Sequence, residues 1–255
     1  MSLLRTEKLR VSIGNTRVCN DLNIECHAGE VWGVLGRNGK GKTTLLHTLA
    51  GLLEADKGEI FIEHNNLNDL SRKKIAQQLG VLLQHHEDIF PSSVIETVIT
   101  GRHPYINQWQ WESSADREIA SRALDTVQLS NLTERPINQL SGGERQRVSI
   151  AALITQNPNI MLMDEPNSHL DLKYQIQLLD YMCNDARENN KSILMTLHDL
   201  NLTARYCDKL ILLLGDGNTL TGNTQDLLNE DNLQALYDYP IKRITAGEHT
   251  VFSAA

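Results

Sequence analysis

The sequence predicts an α/β fold with a mainly parallel central sheet. Short continuous apolar runs, which are typical of strands covered on both faces, alternate with segments of helical periodicity along most of the chain. Residues 1–30 instead alternate apolar and polar side chains, which predicts an N-terminal antiparallel β subdomain. Residues 91–158 carry helical periodicity that interrupts the alternation of strands and helices, so we expect an inserted helical subdomain there.

The individual elements follow from the same patterns. The apolar runs that predict further strands are 31–35, 60–62, 80–83, 160–163, 192–197 and 209–214. Helices are predicted near 45–52, with Gly51 contributing to the end of that helix, and near 119–127, 148–154 and 171–187. Beyond 216–217 we expect a turn, helices around 225–237 and a strand-like end. We interpret residues 1–255 as one domain, with a core of about 1–90 and 159–255 and a helical subdomain of about 91–158.

Composition disfavours several classes of protein. Hydrophobic residues make up 40% and charged residues 22% of the 255 residues, which is typical of a globular domain and not of a disordered chain. The formal net charge is −8, whereas proteins that neutralise nucleic-acid phosphates are usually basic, so we expect no nucleic-acid partner. No apolar run is long enough to cross a bilayer and no secretory signal is visible, so we expect a soluble chain. The four cysteines lack metal-type spacing and are predicted to be buried free thiols.

A glycine-rich loop joins a predicted strand to a predicted helix. Residues 36–43 read GRNGKGKT and fit the pattern G-x-x-x-x-G-K-[ST] in the context that this motif requires. The backbone N–H groups of such a loop and the N-terminus of the helix after it bind phosphate oxygens. Lys42 is expected to reach the β and γ phosphates, and the Thr43 hydroxyl is expected to ligate Mg²⁺. The candidate nucleotide-binding residues of this segment are Gly36, Arg37, Asn38, Gly39, Lys40, Gly41, Lys42, Thr43 and Thr44.

Two carboxylates stand at the end of the apolar run 160–163. Asp164 is placed to hold Mg²⁺, as in phosphate-loop nucleotide hydrolases, and Glu165 is placed to orient or deprotonate an attacking water. A pair of solvated acids at a strand end is the alternative. Because this motif and the glycine-rich loop both follow strands of one open sheet, we expect them to share the crevice at the carboxyl ends of those strands.

A third motif begins a predicted helix at residues 140–147, which read LSGGERQR. Ser141 and Glu144 form an S-x-x-E capping box, but a helix cap does not require two glycines. Glycines and a hydroxyl at a helix N-terminus make a second anion-binding surface. Two phosphate sites so far apart in one sequence suggest that one of them serves a neighbouring subunit.

These motifs, in this order, resemble the nucleotide-binding subunit of ATP-binding cassette (ABC) transporters over nearly the whole chain. The matching positions are the phosphate loop at 36–43, the glutamine loop at Gln84, the signature at 140–144, the acidic strand with its catalytic glutamate at Asp164 and Glu165, the dimer-contacting loop at 168–171 and the switch histidine at His198. The resemblance implies the P-loop NTPase fold of an ABC ATPase, with ATP and Mg²⁺ as its ligands.

The resemblance also implies a head-to-tail homodimer that sandwiches two ATP molecules. The phosphate loop, Lys42 and Asp164 of one subunit would face Ser141 and Gly143 of the other. Gln84 would touch Mg²⁺ and the attacking water, and His198 would contact the γ-phosphate. The implied roles are catalysis by Glu165, His198 and Gln84, metal binding by Thr43, Gln84 and Asp164, and nucleotide binding by Ser141, Gly142, Gly143 and Asp171 besides the phosphate loop.

Residues 101–105 (GRHPY) and 198–201 (HDLN) resemble the importers of iron–siderophore, haem and cobalamin. This branch implies two transmembrane permease subunits as partners, indirectly a periplasmic or surface substrate-binding protein, and a peripheral location on the cytoplasmic face of the inner membrane. The alternatives are an importer for another metal or oxyanion and a soluble non-transport ABC ATPase. The latter class typically carries two cassettes or a long heptad insertion, and this sequence has neither. A GTPase is disfavoured because no N-K-x-D motif follows the phosphate loop.

Two positions of the predicted nucleotide site are unusual. Ile13 stands where the family has an aromatic residue that stacks on adenine, which weakens the expectation of a strict adenine preference. Lys40 stands where a small residue is expected beside the phosphates, and the sequence leaves open whether its ammonium faces solvent or the anion.

Two further pairs of side chains carry open interpretations. Trp109 and Trp111 are interpreted either as a contact with a membrane subunit or as partly buried in the core. His85 and His86 are interpreted as a solvated pair near the family's coupling surface rather than as a metal site.

Overall fold

The computed structural model describes residues 2–84, 92–107, 109–246 and 249–255. The strands are β1 (Ser2–Ile13), β2 (Thr16–His27), β3 (Val31–Gly36), β4 (Lys57–Ile62), β5 (Asn65–Asn66), β6 (Leu79–Leu82), β7 (Ile160–Met163), β8 (Ser192–Thr196), β9 (Lys209–Gly215), β10 (Asn218–Asn223), β11 (Ile241–Ala246) and β12 (His249–Ala254). The α-helices are α1 (Lys42–Leu49), α2 (Arg72–Gln78), α3 (Val94–Ile99), α4 (Ser114–Thr126), α5 (Gly142–Gln156), α6 (Leu172–Glu188), α7 (Leu200–Tyr206), α8 (Thr224–Leu227) and α9 (Glu230–Tyr237).

The central sheet has the strand order β10-β9-β3-β8-β7-β6. Its neighbouring strands are parallel except for β9 and the edge strand β10, which are antiparallel. The strands β3, β8, β7 and β6 are therefore consecutive and point the same way. The loops that follow them meet at one end of the sheet, and the predicted mainly parallel sheet is confirmed.

The side chains of β3 show why a continuous apolar run forms a central strand. Val31 and Leu35 belong to a hydrophobic cluster that also contains residues of α3, α4, α5 and α6. Trp32 and Val34 belong to a second cluster that contains residues of β1, β2 and α1. Alternate residues of a strand face opposite sides of the sheet, so both faces of β3 are covered and both require apolar side chains.

The predicted antiparallel β subdomain at the N-terminus is also confirmed. Its strand order is β2-β1-β4-β5, and Leu4 of β1 pairs with Cys26 on one side and with Ile62 on the other. The strand that the run 60–62 predicts therefore belongs to this sheet and not to the parallel one. The β subdomain covers one face of the central sheet beside α1, because residues of the subdomain, of α1 and of the central sheet pack in one hydrophobic cluster.

The helix after the phosphate loop is shorter than its apolar spacing suggests. It ends at Leu49, and Gly51 follows with a left-handed φ of +68°. The Gly51 N–H donates to the Thr48 carbonyl and the Leu52 N–H donates to the His47 carbonyl, both at 2.9 Å, which is a Schellman motif. Leu52 lies outside the helix and is exposed.

Several short elements were not predicted. The helices α2, α3 and α7 have six or seven residues, too few for a clear periodicity. The strand β10 lies where the sequence predicts only a turn, because it is a largely exposed edge strand without an apolar face. The longer predicted helices correspond to α4, α5, α6 and α9.

The four cysteines are free and buried, as predicted. Burial raises the pKa of the Cys19 thiol to about 11 and that of Cys183 to about 12, so both remain protonated at neutral pH. Among the described residues, no helix has the length and apolar character needed to span a membrane.

Candidate active site

The glycine-rich loop turns tightly between β3 and α1. Gly39 and Gly41 have left-handed φ values of +77° and +89°. A Cβ atom on Gly41 would lie 2.4 Å from Val18 Cγ2, so only glycine fits this turn. The Leu45 N–H donates to the Gly41 carbonyl at 2.9 Å and starts α1. The loop and the first N–H groups of α1 thereby form a cradle at the position where the sequence predicts phosphate binding.

Lys42 is a buried cation in this cradle, with 7% of its surface exposed. Its Nζ atom donates to the Gly36 carbonyl oxygen at 2.8 Å. Burial lowers the pKa of the ammonium, while the nearby carboxylates of Glu165 and Asp164 raise it. A negatively charged ligand in the cleft would compensate this ammonium more fully than the carbonyl does.

Asp164 lies at the carboxyl end of β7 and is 1% exposed. Its Oδ2 atom accepts from the Thr43 hydroxyl at 2.5 Å, and its Oδ1 atom accepts from the Thr196 hydroxyl at 2.7 Å. Its backbone N–H donates to the Leu82 carbonyl at the end of β6 at 2.9 Å. The carboxylate is thus fixed between the phosphate loop and β8, and the backbone of Asp164 is fixed to β6.

Glu165 has a left-handed φ of +49°, which is a strained conformation for a residue with a side chain. Its N–H donates to Thr196 Oγ1 at 2.8 Å. Its Oε1 atom lies 2.7 Å from Nε2 of His198, which follows the end of β8. Strained residues concentrate at functional sites, and this one turns the second carboxylate toward the cleft.

Nine of the predicted site residues meet in a cleft of about 420 Å³ at the carboxyl ends of β3, β8, β7 and β6. Gln84 enters it from the segment after β6, Glu165 from the end of β7 and His198 from the end of β8. Ile13 lies at the rim and is 53% exposed. The residues that line the cleft are Ile13, Asn38, Gly39, Gly41, Lys42, Thr43, Thr44, Gln84, Glu165 and His198.

Three other predicted nucleotide-binding residues do not line the cleft, and their side chains contact other parts of the domain. Arg37 pairs with Asp238 at 3.5 Å on the surface. The Lys40 ammonium lies over Gly215, where a Cβ atom would be 2.9 Å from its Nζ. Asp171 caps α6 by accepting from the Tyr174 N–H at 3.0 Å. Their roles toward a nucleotide remain predictions.

The signature motif begins α5, as predicted, and lies apart from the residues that line the cleft. The Ser141 Oγ atom accepts from the Glu144 N–H at 3.3 Å, and the Glu144 carboxylate accepts from the Ser141 N–H at 2.8 Å, which confirms the capping box. Ser141 and Gly142 are exposed. A Cβ atom on Gly143 would lie 2.8 Å from the His169 carbonyl oxygen, so the signature packs on the loop at 168–171.

The two tryptophans of the segment after 101–105 lie on the surface. Trp109 is 92% exposed and Trp111 is 91% exposed, so the interpretation of partial core burial is wrong. The interpretation of His85 and His86 concerns residues outside the described part of the chain.

The residues of the cleft fit a magnesium ion and a polyphosphate. The Thr43 hydroxyl, the Asp164 carboxylate and the Gln84 amide offer hard oxygen ligands, which Mg²⁺ prefers. The first two already touch each other at 2.5 Å. The glycine turn, the N-terminus of α1 and Lys42 supply donors and positive charge for phosphate oxygens.

Sequence reasoning missed one residue of this site, Thr196. It is fully buried at the end of β8 and bonds both Asp164 and Glu165. The available signal was a hydroxyl residue that follows the apolar residues 193–195, two residues before His198. That signal does not identify the partners, because β7 and β8 are distant in sequence.

A glycine-rich phosphate loop after β3 and two carboxylates after β7, at the same end of a parallel sheet, define a P-loop NTPase. The sequence profile of the ABC transporter family matches residues 19–168 of this chain. The chain belongs to that family, and it is an ATP-binding domain of the kind that hydrolyses ATP.

Individual proteins agree with this assignment. The chain is 35% identical over 230 residues to the petrobactin import ATP-binding protein FpuD of Bacillus anthracis, covering 89% of this chain and 83% of that protein. It is also 35% identical to the uncharacterized ABC transporter ATP-binding protein YvrA of Bacillus subtilis, over 92% of this chain but only 53% of that longer relative. A solved structure of a metal-chelate type ABC transporter in an inward-facing conformation matches with a TM-score of 0.87 and 30% identity, over 100% of this chain and 98% of that one.

The first prediction concerns Lys42→Ala. This change removes the buried cation of the phosphate cradle, and charge-assisted hydrogen bonds contribute about 1.5–3 kcal/mol. We expect ATP binding to weaken by about ten- to 150-fold and turnover to fall to background, measured by nucleotide titration and phosphate release. Lys74→Ala, at an exposed position of α2, is the matched control and should behave as wild type. Wild-type turnover in Lys42→Ala would contradict the assignment of the loop.

The second prediction concerns the base. Ile13 offers an apolar contact but no aromatic face, so most of the affinity must come from groups that ATP and GTP share. We expect the dissociation constants of ATP and GTP to lie within about tenfold of each other. Ile13→Tyr should tighten ATP binding by roughly two- to tenfold, since aromatic pairs contribute about 0.5–1.5 kcal/mol beyond the buried area.

Fluorescence titration of both nucleotides measures these constants. Ile13→Leu is the matched control, because it keeps the apolar contact without a ring and should leave ATP affinity unchanged. Equal ATP affinity in Ile13→Tyr and wild type would show that Ile13 does not lie under the base.

Proposed function

We propose that this chain is the ATP-hydrolysing subunit of an importer for metal chelates such as iron–siderophore, haem or cobalamin, and that it works as a head-to-tail homodimer on two permease subunits. The cargo class is supported by the likeness to a petrobactin import protein and to a metal-chelate type transporter. The proposal of a dimer is based on one observation about this chain. The signature at the start of α5 is exposed and does not line the cleft of its own subunit.

Within the cleft, the loop N–H groups and Lys42 bind the phosphates, and Thr43, Gln84 and Asp164 hold Mg²⁺. When bound, Mg²⁺ neutralises charge that develops on the β and γ phosphates. Glu165 accepts a proton from the water that attacks the γ-phosphate, and the products are ADP and phosphate. His198, 2.7 Å from Glu165, orients the carboxylate and contacts the γ-phosphate.

The homodimer completes the site. The N-terminus of α5 carries the partial positive charge of a fifteen-residue helix, with the Ser141 hydroxyl and two glycines beside it. Such a surface binds a phosphate, but it does not line the cleft of its own subunit. A two-fold related copy places the signature of one subunit over the phosphate loop of the other, so that each ATP touches both subunits.

The proposed permease contact is the segment with Trp109 and Trp111. The chain just before it is fixed to the body of the domain, because Lys73 Nζ donates to the Ile106 carbonyl and the Tyr105 hydroxyl donates to the Gln156 carbonyl, both at 2.9 Å. Two exposed indole rings on an anchored segment are typical of protein interfaces. This contact would hold the chain on the cytoplasmic face of the inner membrane, with a periplasmic or surface substrate-binding protein as an indirect partner.

The third prediction tests the reaction and the dimer together. Glu165→Gln should retain ATP binding but lose the proton acceptor, so the closed dimer should accumulate. Size-exclusion chromatography with Mg-ATP should then show a species of twice 28.7 kDa, and phosphate release should fall to background. A variant that stays monomeric at saturating ATP and hydrolyses normally would contradict both the role of Glu165 and the dimer.

Ser141→Arg adds a control for the dimer. It should abolish turnover and leave ATP binding to the monomer unchanged, because in the proposed dimer Ser141 contacts the ATP that the phosphate loop of the partner subunit holds. Ser113→Arg removes the same kind of helix cap from α4, far from the signature in sequence, and should retain turnover. Equal losses in the two variants would attribute the effect to helix capping.

The fourth prediction concerns the membrane. The double variant Trp109→Ala/Trp111→Ala should keep its ATPase activity as an isolated chain but lose most of its co-purification with co-expressed permease subunits, measured by affinity capture of the permease. Ile244→Ala, which removes another exposed apolar side chain, should co-purify as wild type does. Undiminished co-purification of the tryptophan variant would show that the permease docks elsewhere, and absence of any permease complex would favour the soluble ATPase.

A further inference from the structure

One hydroxyl group joins the two carboxylates of the site. Thr196 Oγ1 donates to Asp164 Oδ1 at 2.7 Å and accepts from the Glu165 N–H at 2.8 Å. The residue is fully buried at the end of β8. It does not line the cleft itself, so it acts on the reaction only through its two neighbours.

The position of this hydroxyl follows from strand pairing. β8 lies between β3 and β7, and both pairs are parallel. Met195 is opposite Met163, so the residues that follow them in the chain, Thr196 and Asp164, lie at the same level. On the other side Thr196 is opposite Val34, two residues before the phosphate loop begins.

The bond to Asp164 fixes the rotation of its carboxylate. One oxygen is held by Thr196 and the other accepts from the Thr43 hydroxyl at 2.5 Å. Without the Thr196 hydroxyl, Asp164 Oδ1 loses this hydrogen-bond donor, and the carboxylate becomes free to turn away from Thr43. The orientation of a magnesium ligand therefore depends on a residue that does not touch the ion.

The bond to Glu165 stabilises the strained backbone that follows Asp164. A φ of +49° is unfavourable for glutamate and persists only where the surroundings hold it. The Thr196 oxygen accepts the N–H of this residue, and the resulting turn brings Glu165 Oε1 within 2.7 Å of His198 Nε2. The same hydroxyl thus aligns the group expected to accept the proton.

We propose that Thr196 is a positioning residue for ATP hydrolysis, which sets the Mg²⁺-binding orientation of Asp164 and the turn of Glu165 through its hydroxyl. This inference rests on the roles proposed above for Asp164 and Glu165. It assigns to Thr196 an effect on the chemical step and on Mg²⁺, and none on the binding of metal-free ATP.

The test uses Thr196→Val, which keeps the shape of the side chain and removes the hydroxyl. We expect kcat to fall by about 10- to 100-fold, as small misplacements of reacting groups produce, with KM for ATP changed by less than about threefold. Thr196→Ser restores the hydroxyl and should recover kcat to within about threefold of wild type.

Binding provides a readout that does not depend on turnover. ATP affinity is titrated with EDTA and with Mg²⁺, and the ratio of the two constants gives the gain from the metal. Thr196→Val should match wild type in EDTA within about twofold and show a smaller gain with Mg²⁺. A purely structural hydroxyl would lower the melting temperature and leave this gain unchanged.

Thr203→Val is the matched control. Thr203 is also fully buried, and its hydroxyl donates at 2.8 Å to the carbonyl of Asp199, the residue that caps α7, so we expect its loss to affect stability alone. Thr196→Ala is measured in the same series, so that a folding failure of the valine variant does not leave the hydroxyl untested. Values of kcat and Mg²⁺ gain equal to those of Thr203→Val would overturn the inference.

Glu165→Gln in the same assays separates this inference from the function on which it rests. If Glu165→Gln is inactive while Thr196→Val hydrolyses ATP as wild type does, only the positioning role is wrong. If Glu165→Gln retains turnover, the proposed role of the glutamate itself is wrong.

Discussion

The buried carboxylate of Asp164 is the constraint that the arrangement of the central sheet satisfies. An uncompensated charge with 1% exposure would strongly destabilise the folded chain. Two hydroxyl donors offset this, one from Thr43 after β3 and one from Thr196 in β8, while the Asp164 N–H donates to the Leu82 carbonyl at the end of β6. These contacts join the ends of β3, β8, β7 and β6, which are consecutive in the sheet. The fold and the site therefore depend on the same hydrogen bonds.

The charges around Asp164 also explain why the cleft suits a nucleotide with its metal. The site holds a buried ammonium, Lys42, beside two carboxylates, Asp164 and Glu165. Burial lowers the pKa of Lys42, and the two carboxylates offset part of this shift. A triphosphate alone would bring further negative charge next to the carboxylates. A divalent cation between the phosphates and Asp164 would remove that repulsion. Thr43 Oγ1 and Asp164 Oδ2, 2.5 Å apart, are the oxygen atoms that would ligate it.

Local chemistry was predictable from the sequence, and contacts between distant segments were not. The phosphate loop, the acidic strand end and the capping box of Ser141 each occupy a few consecutive residues whose chemistry is visible in the sequence. Thr196 was missed because its role depends on the pairing of β7 with β8. The contact of Lys40 with Gly215 joins the phosphate loop to the end of β9, and no local pattern indicates it. The strand β10 was missed because an exposed edge strand needs no apolar alternation.

The helix α5 provides the physical connection between the two surfaces of the proposed function. Its N-terminus carries Ser141, and its fifteen residues span about 22 Å to Gln156 at the other end. The Gln156 side chain donates to the Ala76 and Leu79 carbonyls at 2.7 and 3.1 Å, and its own carbonyl accepts from Tyr105, just before the exposed tryptophans. Leu79 begins β6, the strand that leads to Gln84 in the cleft. A close-packed helix moves as a unit, so in the proposed dimer a displacement of the signature by the partner's nucleotide would shift the tryptophan segment, β6 or both.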